Sequence, residues 1–149
     1  MRSWSRRYRL ALLPIDDEET AARTQSLGPE GVSALEVALD SVRTWVLLDR
    51  ALHEIRLRET PLLHPAVGDP AMRHWDTTVH ETIETVLDQM NEAASGLAET
   101  IATTPPDDWA RTGKAADGAT IQSIDIIADA VSVGASNLRK IEMILSSLR

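Results

Sequence analysis

Cysteine is absent from this 149-residue sequence, which excludes disulfides, thiolate metal sites and a cysteine nucleophile. Phenylalanine is absent as well, and tyrosine occurs once. A core must therefore be assembled from Leu, Ile, Val, Ala, Met and four Trp. Long apolar runs are also missing. The first apolar stretch, Leu10-Ala11-Leu12-Leu13, stops at Pro14 and is followed by Asp16, Asp17, Glu18 and Glu19. A secretory h-region needs about 7–15 apolar residues and a membrane span about 20, so Ser5-Arg6-Arg7 ahead of this stretch does not open an export signal. The sequence reads as a cytoplasmic protein with no membrane partner. Basic charge is scarce: the formal net charge is −8, and without Arg2, Arg6, Arg7 and Arg9 it is −12. Such a chain repels nucleic-acid phosphates, so no nucleic-acid partner is expected. The four arginines read as a solvated N-terminal arm.

What is present is an ordinary globular composition, 43% apolar, in a length that fits one domain over residues 1–149 and buries roughly 70% of the unfolded surface. Three long segments have helical periodicity. The first follows Ser33, an N-cap with Glu36 three residues on, which is the capping-box pattern. It carries Leu35, Ala38, Leu39, Val42, Trp45, Val46, Leu52 and Ile55, and it stops before Pro61. Pro61, Pro65, Gly68 and Pro70 mark a loop. The second segment spans Ala71 to Thr103, with Trp75, Val79, Ile83, Val86, Met90, Ala94, Leu97 and Ile101 on one stripe, and Pro105-Pro106 end it. The third starts near Thr120, with an apolar stripe of Ile121, Ile124, Ala128, Val131, Ala135, Leu138, Ile141 and Leu145. At the N-terminus, Trp4, Tyr8, Ala11, Leu12 and Ile15 have helical spacing while Tyr8, Leu10 and Leu12 alternate like a strand. Helix is preferred because three amphipathic helices need a fourth to close a core. A short helix around Asp17 to Thr24 follows Pro14. The expected fold is all-α, an up-and-down four-helix bundle of three long helices and a short N-terminal one.

Two stretches bring a family into view. Val32-Ser33-Ala34-Leu35-Glu36-Val37 resembles the Trp-Ser-x-x-Glu-Val entry to the second helix of the DinB/YfiT-like superfamily, which includes the N-terminal domains of mycothiol-dependent maleylpyruvate isomerases. Trp109-Ala110-Arg111, Asp117-Gly118 and Asn137-Leu138-Arg139-Lys140-Ile141 resemble the approach to its last helix and that helix's C-terminal half. The resemblance covers residues 10–149, and its motifs are short and degenerate. It implies a bundle that binds a divalent metal through three histidines, one on the second helix and two, four residues apart, on the last. By this match the first position falls at Asp40, or at Leu39 if the register slips by one, and the pair falls at Val133 and Asn137. None is histidine. Valine cannot ligate, and one carboxylate with one amide is a poor shell for zinc or nickel. The resemblance therefore implies a family metal site that has been dismantled, with no metal and no cofactor expected.

The four histidines do not rebuild a site elsewhere. His53 lies four residues after Asp49, which predicts a contact along one helix face. His64 sits among prolines, and His74 and His80 are separated by about 120° of helical azimuth. Gln122, Asp125, Asp129, Ser132 and Ser136 form a polar stripe, which reads as a solvated face or else as the lining of a cavity or dimer interface. The sequence has no GxSxG, P-loop or GxGxxG motif.

Two functional readings remain open. One is a metal-independent small-molecule-binding protein or enzyme that uses the interhelical cavity. Asp40, Asp129, Val133, Ser136 and Asn137 would line the cavity, and Asp40 is its candidate catalytic acid or base. The other is a non-catalytic helical interaction module. A homodimer is expected because residues 1–13 look too short to cover the bundle.

Overall fold

The computed structural model describes residues 1, 3–12, 18–73, 75 and 82–148. The calls on His74 and His80 and on the acidic residues Asp16 and Asp17 lie outside them. Helix α1 spans Trp4–Leu12, α2 Glu18–Gln25, α3 Ala34–Leu57, α4 Pro65–Gly68, α5 Ile83–Thr103 and α6 Ser123–Ser147. The helical choice for the N-terminus holds, and its reason is visible: Trp4, Tyr8 and Leu12 form one buried stripe. Two 3-10 turns, Pro70–Met72 and Pro106–Ala110, lie in the connections that precede α5 and α6.

Helix α3 begins as its sequence dictates. Glu36 donates its backbone N–H to Ser33 Oγ at 3.1 Å, and Ser33 N–H donates back to Glu36 Oε2 at 2.7 Å. This closes the capping box. The helix is buried on most sides because it packs against both α5 and α6. Helix α1 packs against the same two. The four therefore ring the core in the order α1, α6, α3, α5, with α5 and α6 on one diagonal. This corrects the up-and-down expectation, in which each helix would lie beside the next in sequence. The crossing from α5 to α6 is made by the second 3-10 turn and an antiparallel hairpin, β1 (Thr112–Lys114) with β2 (Thr120–Gln122). Gly118, at φ +86°, makes its turn.

Two boundaries differ from the sequence reading. Helix α5 starts at Ile83, with Thr82 as N-cap, instead of at Ala71; Ala71 and Met72 lie in the 3-10 turn and Trp75 is not helical. Helix α6 starts at Ser123 because Thr120–Gln122 pairs as a strand. The buried face of α6 also differs. It consists of Ile126, Ala130, Gly134, Asn137 and Ile141, while Ile124 and Val131 face solvent. The small residues are inside because aromatic rings occupy the space above them. A Cβ on Gly134 would lie 2.9 Å from Trp4 and 3.1 Å from Trp45. Trp4, Tyr8 and Trp45 pack edge-to-face or tilted at centroid distances of 5.9–6.4 Å. Trp45 Nε1 donates to the Ala130 carbonyl at 3.0 Å.

No helix among the described residues is long and apolar enough to cross a membrane.

Candidate functional site

A chain of polar groups runs through the bundle directly beside this aromatic cluster. Tyr8 OH donates to the Gly134 carbonyl at 2.9 Å and lies 2.8 Å from Ser41 Oγ. Asn137 Nδ2 donates to Ser41 Oγ at 2.9 Å and to Asp40 Oδ2 at 2.8 Å. Counting hydrogens fixes every direction. Tyr8 has one hydrogen, spent on Gly134, so Ser41 must donate to Tyr8 and accept from Asn137. Both amide hydrogens of Asn137 are then committed. Its Oδ1 and the second oxygen of Asp40 are left as acceptors only. Burial pushes the Tyr8 hydroxyl above the ordinary tyrosine range, and the nearby Asp40 charge pushes the same way against the opposing effect of the Ser41 hydrogen bond.

Asp40 and Asn137 line a cleft of about 400 Å³ at the N-terminal end of α3. Glu36 and Val37 continue the α3 wall, Val32 lies just before its N-cap, and Lys140 lies one turn beyond Asn137 on α6. Arg73 and Trp75, from the connection between α4 and α5, form the third side. The Arg73 side chain is only 6% exposed. It is held by Asp129 through Nη2 at 2.5 Å and by the Ala66 carbonyl through Nε at 2.9 Å. Among the described residues, Trp75 Nε1 is buried without a hydrogen-bond partner, as is Thr44 Oγ1, one turn beyond Asp40 on the same face of α3. Orphaned donors of this kind are rare in native interiors and call for an occupant or a water.

The structure thus brings Asp40 and Asn137 into direct contact and connects Asp129 to the cleft through Arg73. Leu39 is in the core, whereas Asp40 lines the cleft. Val133 and Ser136 are half-buried and are not among the residues lining the cleft. Sequence reasoning missed Ser41, Tyr8, Arg73 and Lys140, and it assigned Trp75 to a helical core stripe. The sole tyrosine and the serine next to Asp40 were the available signals. Arg73 and Trp75 could not be found while residues 71–82 were read as helix.

A second concavity, about 290 Å³ between α3 and α5, is bounded by Val42, Val46 and Ala93 with Arg43, Asp49 and Glu92 at its edges. Next to it the expected Asp49–His53 contact is present at 3.7 Å. Thr100 Oγ1 donates to Asp49 at 2.5 Å and lies 3.1 Å from His53 Nε2, tying α5 to α3. With its hydroxyl buried and engaged, this cluster joins helices. His64 caps α4 through Nδ1, which accepts from Ala66 N–H at 3.1 Å.

No protein-family model and no curated protein matches the sequence. Among solved structures the chain is similar to YfiT from Bacillus subtilis, described as a probable metal-dependent hydrolase with an unusual four-helix bundle topology. The likeness has a TM-score of 0.69 at 13% identity and covers 97% of this chain and 79% of the other. At that identity it establishes the architecture: this chain folds as a four-helix bundle of the YfiT kind.

Proposed function

We propose that the protein binds a small molecule in the cleft between α3 and α6, without a metal. The observation that carries this is the Asn137–Asp40 hydrogen bond on the wall of an open cleft, where the resemblance to the DinB/YfiT-like superfamily would place metal ligands. The donor set does not fit that metal. It offers one carboxylate and one amide whose hydrogens are committed, and Val133, the third position the resemblance implies, has only an alkyl side chain. Among the described residues no three of His, Cys, Asp and Glu stand close enough to hold an ion. What remains at the site is chemistry of hydrogen bonds and charge. Asp40 is the group of this wall that could accept or return a proton on a bound ligand, since one of its oxygens is free of Asn137. It is not a carboxylate buried without a partner, so its candidacy rests on position.

The interaction-module reading has less support. It needs a filled bundle centre with Asp40 turned away, and a core left uncovered by a short N-terminus. Instead, α1 seals the core with Trp4, Tyr8 and Leu12. The large exposed apolar residues Leu10, Leu57, Leu62 and Met143 are spread over different elements. A homodimer would have to be justified by an interface other than an open core.

The direct test is a fragment screen of the full chain by two-dimensional amide NMR. Hits should perturb signals around Asp40, Asn137 and Trp75, and Asp40→Ala should weaken them while thermal unfolding stays cooperative. Hits confined to the groove between α3 and α5, or a screen with no hits, would contradict the reading.

A further inference from the structure

The polar groups of the cleft are sorted by kind. Asp40 and Glu36 of α3 and Asn137 of α6 offer acceptors. Asp40 has an oxygen beyond the one bonded to Asn137, Asn137 has only Oδ1 left, and Glu36 has one oxygen free of the Ser33 cap. The donors come from Lys140, one turn beyond Asn137 on α6, and from the connection between α4 and α5. Lys140 carries an ammonium with no acceptor among the described residues, and Trp75 Nε1–H is buried and unpartnered. Arg73 lies behind them, its charge paired with Asp129 and its position also fixed by two backbone carbonyls. A purely cationic ligand would leave Trp75 orphaned and face Lys140. A purely anionic ligand would face Asp40 and Glu36. A molecule with both charges satisfies both sets of groups, and charge-assisted hydrogen bonds of this kind are the strong ones. Val32, Val37 and the Trp75 ring supply apolar surface between the two. The volume is at the lower end of the range for small-molecule pockets, about 300–1,000 Å³.

We infer that the cleft selects a small zwitterion, a molecule bearing an amine and an acid group on one short frame, with the ammonium on Asp40 and Asn137 and the acid on Trp75 Nε1 and Lys140. This inference rests on the small-molecule reading of the cleft and specifies its ligand class.

The probes are alanine, leucine and phenylalanine. Each is titrated beside the amine that lacks its carboxylate and the acid that lacks its amine. Binding to the full chain is followed by amide NMR, with the Trp75 indole signal assigned through Trp75→Phe. At least one amino acid should bind about tenfold or more tighter than both of its halves and shift the Trp75 indole. Asp40→Asn keeps an acceptor for Asn137 and removes the charge. It should weaken the amino acid and the amine about tenfold and leave the acid unchanged. Lys140→Gln should weaken the amino acid and the acid and leave the amine unchanged. A half-ligand that binds as tightly as its amino acid overturns the inference while leaving a small-molecule cleft in place. No binding by any of these probes also overturns it, and the fragment screen then judges the cleft independently.

Discussion

Tyr8 joins the aromatic cluster to the polar chain, and its hydroxyl decides the direction of every hydrogen in that chain. Tyr8→Phe removes the donor to the Gly134 carbonyl and the acceptor for Ser41, both buried. Leaving such groups unpaired costs about 1–3 kcal/mol, so denaturant unfolding should show a loss of that size with an unchanged slope. The pH dependence follows from the raised tyrosine pKa. Below about pH 10 the hydroxyl is protonated in folded and unfolded chains alike, and the stabilisation is fully present. Above it the unfolded chain releases the proton while the folded chain holds it, so stability falls as pH rises toward the folded value. Because Tyr8 is the single tyrosine, tyrosinate absorbance reports on it alone. Its ionisation should coincide with alkaline unfolding, and a reversible step near pH 10 in the folded protein would contradict its burial. Tyr8→Phe should flatten the alkaline limb of the stability curve.

Among the elements, α3 and α6 carry both the core and the cleft, and they differ in how far the sequence declares them. Ser33 and Glu36 announce the start of α3, and the structure closes that capping box. Ser33→Ala should cost about 1 kcal/mol, measured by thermal or denaturant unfolding, because the Glu36 backbone N–H loses its Ser33 Oγ acceptor while the residue-33 N–H still holds the Glu36 carboxylate. In α6 the period was legible but the phase was not. Bulky Ile124 and Val131 suggested a core face, whereas the buried face is Ala130, Gly134 and Asn137 because Trp4 and Trp45 fill the space above them. Only the partner rings reveal that small residues belong inside, and no local pattern encodes a partner on another helix. Gly134→Ala puts a methyl group within 3.2 Å of both rings. Overpacking of that kind should cost about 1–3 kcal/mol and disturb the Tyr8–Gly134 hydrogen bond. The start of α5 was misread for a related reason: Trp75 continues a helical spacing, yet it is not helical and flanks the cleft together with Arg73.

For the whole molecule, the number of helices and their amphipathic lengths were readable, while their arrangement around the core was not. The order α1, α6, α3, α5 is set by which faces fit together and by the hairpin that carries the chain from α5 to α6. That arrangement is what brings Asp40 and Asn137, 97 residues apart in sequence, to 2.8 Å. If Val133 and Asn137 occupy the positions of a former histidine pair, the site should be restorable. The double variant Val133→His/Asn137→His, with Asp40 facing it, should retain about one zinc per chain by elemental analysis, while the unmodified protein retains none. A folded double variant that holds no zinc would reject that assignment. The central claim, a cleft that binds its ligand without a metal, is tested most directly by titrating a cleft ligand into protein exhaustively treated with chelator and into the same protein supplied with zinc. The affinity should be the same in both. Loss of binding on chelation, restored by about one equivalent of divalent metal per chain, would contradict the account.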